Sequence, residues 1–250
     1  MRADLDRLNR GKDYGHETIE KIFKSDLYMQ KKTQGFHTGN KALYVPITSD
    51  RGLCGGINST IIREMKQAIS HYPKRSDLGL FVIGDKGNSA FARPFHDLIL
   101  LGIHEILNPI NYLTVASIAQ KIDSVTVDFD KIIICYNEYQ SAISYNLKKL
   151  ELMTRKKFLE HLSFQKLYRQ SRPDKASSNP SLYDLYISSN LYCAMLNNLA
   201  SEQSARMNAM ENASKNAKEL VEKLQLQYNK ARQAKITMEL VEIISGASAV

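Results

Sequence analysis

The chain predicts an α/β sheet domain carrying one very long helix, on three observations. Between residues 41 and 153, apolar runs of strand length alternate with amphipathic segments of helical period. Between Pro180 and Gly246 no glycine or proline interrupts the chain. Before residue 35, Leu5, Leu8, Ile19, Ile22, Phe23 and Leu27 recur at helical spacing among charges.

Residues 1–34 therefore read as an N-terminal helix, weakened in its first half by Gly11 and Gly15. In 41–153 the strand candidates are Ala42–Thr48, Leu80–Ile83, Leu98–Leu101 and Lys131–Tyr136. Pro46 stands against the first of these, because proline has no N–H to give to a ladder. Helix candidates are Ile57–Ser70, Lys86–Ala92 and Tyr112–Ser124, and Ile143–Leu152 reads as an antiparallel edge strand returning through a short turn at Gln140–Ala142. Residues 154–180 form a polar, basic linker ending in Ser-Ser-Asn-Pro.

The last segment, 181–250, begins with Asn179 as N-cap and Pro180 at the first helical position, and Gly246 suits its end. A helix of roughly 65 residues spans ~98 Å, more than twice the ~40 Å width of such a domain, so it is expected to run beyond it. Its seam is a heptad: Met210, Ala217, Leu224, Ala231 and Met238 at position a, with Ala213, Leu220, Gln227, Ala234 and Val241 at d. Glu202–Arg206, Glu211–Lys215 and Glu219–Lys223 are spaced as supporting i,i+4 pairs. A coiled coil fits this pattern better than a surface helix lying across the α/β domain.

Composition excludes several classes. Hydrophobic residues make up 43%, too many for a disordered chain, and the longest apolar runs, such as 98–103, are too short to cross a bilayer. The charged opening Met1–Asp6 predicts no secretory signal. Three widely spaced cysteines, Cys54, Cys135 and Cys193, argue against a disulfide framework and for a reducing compartment. The six histidines lack metal-ligand spacing, so no metal or cofactor is expected. The formal charge of +8 is spread along the chain among acidic neighbours, which favours a solvated surface or an acidic protein partner over nucleic acid.

One segment invites a chemical reading. Ser49-Asp50-Arg51-Gly52-Leu53-Cys54-Gly55-Gly56 links the first strand to a helix, the place where backbone N–H groups often cradle phosphate. The glycine spacing fits neither dinucleotide nor P-loop templates, and no lysine follows. A tight structural turn is the alternative. Gly84-Asp85-Lys86-Gly87 is a second such turn and fails the same templates. Cys54 stands as either a nucleophile at a helix N-terminus or a structural thiol. Asp50 and Arg51 stand as either an acid–base pair or an ion pair fixing the turn.

SDRGLCGGINST at 49–60, SEQSARMNAMENASKNA at 201–217 and YNKARQAKITMELVEIISGASA at 228–249 resemble, in order and separation, the signature segments of the F-type ATP synthase gamma subunit. The tail is most similar to mitochondrial members, and the resemblance covers nearly the whole chain. It implies a Rossmann-like foot domain with N- and C-terminal helices forming an antiparallel coiled coil. The implied role is a non-catalytic, cofactor-free rotor shaft. Its implied partners are the alpha and beta subunits, the delta and epsilon subunits and the proton-driven c-ring, on the matrix side of the mitochondrial inner membrane, with no transmembrane segment and no nucleic acid.

By the same resemblance, Arg232 and Gln233 contact the beta subunit. Ile243, Ile244, Ala247 and Ala249, with Gly246 and Ser248, form an apolar bearing tip. Asp50, Arg51, Gly52, Cys54 and Gly55 belong to the signature turn. Family members carry a longer helix before the stretch resembling Arg2–Gly15, which predicts a shortened N-terminal shaft strand here. The competing reading is a stand-alone α/β enzyme binding a phosphorylated ligand at the Gly52–Gly56 turn; a third is a coiled-coil scaffold with no motor role.

Overall fold

The computed structural model of the 250-residue chain describes residues 6–8, 10–11, 41–72, 74–106, 109–160 and 175–248. Most of the expected N-terminal helix thus lies outside the described residues; 6–8 and 10–11 are helical.

Five strands form one sheet: β1 (Ala42–Pro46), β2 (Leu78–Ile83), β3 (Ile99–Ile103), β4 (Lys131–Tyr139) and β5 (Tyr145–Met153). Their order is β3-β2-β1-β4-β5. The first four run parallel, and β5 returns antiparallel against β4, as its short turn requires. The helices are α1 (Ile57–Ser70), α2 (Asp85–Phe91), α3 (Tyr112–Val125), α4 (Arg155–Glu160) and α5 (Lys175–Ser248).

Strand alternation sorts the core into two layers. Ala42 and Tyr44 of β1, with Leu80 and Val82 of β2, meet Ile61, Met65 and Ile69 of α1 on one face. Leu43 and Val45, with Phe81 and Ile83, meet Val115, Ile118, Ala119 and Ile122 of α3 on the other. That second face also takes Tyr183, Tyr186, Ile187, Leu191, Ala194 and Met195 of α5. Arg155 ties the layer at its rim: its guanidinium donates to Asp123 of α3 at 2.8 Å and to Asp184 of α5 at 2.5 Å, and lies 4.8 Å over the Tyr183 ring. The exposed edge strand β5 is charged, with Lys148 paired to Glu138 and Lys149 to Glu64 of α1, which discourages pairing with a foreign strand.

Pro46 sits in the central strand after all. Ile47 N donates toward β4 (Cys135 O, 2.9 Å) and Thr48 N toward β2 (Ile83 O, 2.8 Å). By alternation the Pro46 nitrogen faces β2, where the ladder stops at Tyr44↔Leu80 and resumes only at Ile47↔Ile83. The missing donor falls in that gap.

The long helix starts at Lys175, ahead of the expected Asn179 cap, and runs through Gly246 to Ser248. Residues 154–180 are accordingly partly helical: α4 occupies Arg155–Glu160, and 175–180 belong to α5. The chain divides into two compact units, Met1–Met207 and Asn208–Val250. Within the first, α5 is buried without a break from 193 to 202. A helix lying on one sheet face would expose its outer side, so α5 is enclosed from more than one direction. The N-terminal segment is one neighbour, since a Cβ placed on Gly11 would lie 3.7 Å from Leu196 Cδ1. Within the second unit, residues 210–247 are exposed at every position. Among the described residues no helix is long and apolar enough to cross a membrane.

Candidate functional site

The signature turn follows β1 directly, and its side chains are spent on holding it. Thr48 Oγ1 donates to Ile83 O at 2.9 Å and accepts from Gly87 N at 2.9 Å, drawing the first turn to the second. Asp50 accepts from two backbone amides, Asp85 N at 2.9 Å and Ile106 N at 3.1 Å. This corrects the expected ion pair: Asp50 anchors backbone, and Arg51 is exposed, with no Asp50–Arg51 bridge among the described residues. Asn58 closes the turn from α1. Its Oδ1 accepts from Ser49 N, and its Nδ2 donates to Ser49 Oγ at 2.7 Å and to Cys54 Sγ at 3.3 Å.

Cys54 is buried within that network, which fits the structural thiol rather than a nucleophile. Gly55 adopts φ 63° and Leu53 φ 60°, the latter residue 73% exposed. Among the described residues no cluster of His, Cys, Asp and Glu could hold a metal.

In open parallel sheets ligands settle where the strand order reverses, at the carboxyl ends of the strands. Here that point lies between β1 and β4, and α5 fills it. Beyond Cys135, β4 outruns β1, so the β1-facing backbone groups of Asn137 need other partners. Asn198 Oδ1 accepts from Asn137 N at 3.2 Å and from Asn137 Nδ2 at 3.0 Å, and Ser201 Oγ donates to Asn137 O at 3.1 Å. Two helix side chains thus complete the ladder where the strand has ended.

Further along α5, Ser204 Oγ donates to Ala142 O in the β4–β5 turn at 2.5 Å. Arg206 Nε donates to Gly52 O of the signature turn at 3.5 Å, and its second amino group pairs with Glu202 at 2.5 Å. The Glu202–Arg206 pair is nearly buried, at 11% and 9% side-chain exposure, so it is a packed clasp and not the solvent-facing helix pair its spacing suggested. Burial pushes the Glu202 carboxyl up, and Arg206 opposes that shift. Of the other two expected pairs, Glu211–Lys215 forms at 3.1 Å; Glu219–Lys223 is not among the ion pairs of the described residues.

In the second unit Arg232, Gln233, Ile243, Ile244 and Ala247 are all exposed, and Ala249 lies outside the described residues. The expected site residues therefore fall into two groups in separate units, a knotted turn and an open helix. Sequence reading missed Asn137, Asn198, Ser201 and Ser204. For the three on α5 the signal was the run of polar residues Asn197, Asn198, Ser201, Glu202 and Ser204 in a stretch that must be buried to hold α5 on the sheet; Asn137 of β4 carried none.

This constellation is a sheet domain whose ligand crevice is closed by its own helix, with a long exposed helical extension. A family model described as ATP synthase matches residues 1–250. The ATP synthase gamma chain of Geotalea daltonii is 34% identical over 98% of this chain and 81% of its own length. The mitochondrial ATP synthase subunit gamma of Drosophila melanogaster is 31% identical over 99% and 80%. A chain in the central stalk and c-ring structure of the Tetrahymena thermophila mitochondrial ATP synthase aligns with TM-score 0.71 and 38% identity, covering 86% of this chain and 94% of that one. The chain belongs to the ATP synthase gamma subunit family.

Proposed function

We propose that this chain is the central rotor stalk subunit of a proton-driven F-type ATP synthase. It catalyses nothing itself. It passes rotation between the c-ring and the catalytic beta subunits, whose conformations it drives in turn. The observation that carries this reading is the uninterrupted helix Lys175–Ser248, exposed on all sides from 210 to 247, in a chain whose family includes a solved central stalk. A helix of that length with an apolar seam gains its stability from partners.

We read the chain as 1–34 shaft strand, 41–153 foot, 154–180 linker and 181–250 shaft. The foot is Rossmann-like in its strand order, and the two shaft segments pair as an antiparallel coiled coil. The Gly11–Leu196 approach supports that pairing. Arg232 and Gln233 engage the beta subunits; Ile243, Ile244, Ala247 and Ala249 turn within an apolar sleeve of the alpha–beta ring. The foot meets the c-ring with delta and epsilon, at the matrix face of the mitochondrial inner membrane. The competing enzyme reading, a phosphorylated ligand at the Gly52–Gly56 turn, finds less support, because Asp50, Cys54 and the Gly52 carbonyl are engaged in holding that turn.

Co-expression with alpha and beta subunits tests the proposal. An assembled, ATP-hydrolysing complex containing this chain is expected, and Ile244→Asp should weaken assembly or slow turnover by placing a charge in an apolar sleeve, at a cost of several kcal/mol, on the order of that for an unpaired buried charge. Tight nucleotide binding by the isolated chain, with no complex formed, would overturn it.

A further inference from the structure

Resting on the rotor reading, we propose that Asn198, with Ser201, Ser204 and Arg206, is the torque joint that fixes the rotational register of the long helix in the sheet domain. Asn198 is its central positioning residue.

A shaft held only by apolar packing resists being pulled away but is weakly held against turning about its own axis, because hydrophobic contact is non-directional. The apolar layer of α5, from Tyr183 to Met195, is mostly of that kind, its directional bonds being those of Asp184 to Arg155 and of Tyr183 Oη to Met153 O at the rim. Directional bonds behave differently, since each fails when the geometry shifts. At about 100° per residue, Arg206, Asn198, Ser201 and Ser204 fan across roughly 200° of the helix circumference. They grip three separate supports: the signature turn at Gly52, the strand β4 at Asn137, and the β4–β5 turn at Ala142. Turning the helix in either direction breaks bonds on one side without forming them on the other.

Asn198 is the hub for a further reason. Its Oδ1 is the acceptor for two N–H groups of Asn137, a residue 1% exposed. Slippage would strand both donors away from water, so the joint has one favoured angle. Among the described residues Asn137 Oδ1 has no hydrogen-bond partner, so that side chain is anchored through its Nδ2 bond to Asn198.

The test uses the complete synthase reconstituted in proton-tight liposomes, reading ATP hydrolysis and ATP-driven acidification together. The wild-type complex must assemble and pump; if it does not, the rotor reading fails before the joint is at issue. Asn198→Leu keeps the side-chain shape and removes the acceptor, whereas Asn198→Asp keeps an accepting oxygen. With Asn198→Leu, the slipped population should rise by about fivefold, the factor expected when buried N–H groups lose their acceptor, so protons moved per ATP should fall while hydrolysis stays within about twofold. Asn198→Asp should retain coupling. Should Asn198→Leu fail to assemble, the double variant Ser201→Ala/Ser204→Ala, which only removes hydroxyls, is expected to show the same split. Unchanged coupling in the assembled variants overturns the proposal. So does a parallel loss of hydrolysis and pumping, because it marks these residues as packing alone.

Discussion

At Gly84 the backbone holds φ at 100°, and a Cβ there would stand 2.3 Å from the Thr48 carbonyl oxygen. Both the left-handed conformation and the close approach to β1 need glycine. Gly84→Ala is expected to destabilise the chain by about 2–3 kcal/mol, through strain that a backbone neighbour cannot relieve. A denaturant midpoint unchanged from wild type would contradict the close approach. Glu202 supplies a pH test. Its folded carboxyl titrates above the ordinary 4.5, so the native state holds the proton more tightly than the unfolded chain. Stability from this group is therefore lost as pH rises from about 4.5 through the raised folded value, and the contribution is flat above it. Glu202→Gln should remove that slope. Unfolding midpoints measured between pH 4 and 8 decide it, and matching slopes in the two proteins would show that Glu202 does not carry the effect.

At the scale of elements, period alone placed α1 and α3. Their buried residues, Ile57, Ile61, Met65 and Ile69 in one and Val115, Ile118, Ala119 and Ile122 in the other, repeat at helical spacing with polar residues between. Helix α2 and β2 through β5 fell within a few residues of expectation. The start of α5 did not: the helix begins at Lys175, so Pro180 lies in its second turn rather than at its first position, and Asn179-Pro180 does not mark the boundary. The exposed half of α5 carries its own prediction. Arg232 is exposed and makes no ion pair among the described residues, so Arg232→Ala should change the thermal stability of the isolated chain by no more than about 0.5 kcal/mol. The same variant should lower ATP turnover of the assembled complex. Collapse of the isolated chain instead would assign Arg232 to its own fold.

For the molecule as a whole, the two units should differ in local stability. The sheet buries a two-layer core, whereas residues 210–247 expose Leu220, Leu224, Met238 and Val241 along one seam. Hydrogen exchange on the isolated chain is expected to be slow in β1, β2 and β4 and fast across 210–247, with protection returning when alpha and beta subunits are added. Slow exchange across 210–247 in a monomer would mean that this helix is stabilised within the chain itself.

Legible in the residues alone were the alternation of strands and helices, the antiparallel return of β5, the presence of a long terminal helix and, through three long motifs, the family. Each is a local property: period, a breaker-free run, or a contiguous string of residues. What the signature turn is for became visible only once the chain was folded. Asp50 accepts from amides 35 and 56 residues away, and Arg206 reaches Gly52 across 154 residues. The closing of the crevice by Asn198 and Ser201 was equally beyond local pattern. It follows from β4 outrunning β1 and leaving buried backbone groups that some distant side chain had to satisfy, and which one is settled by how the helix crosses the sheet.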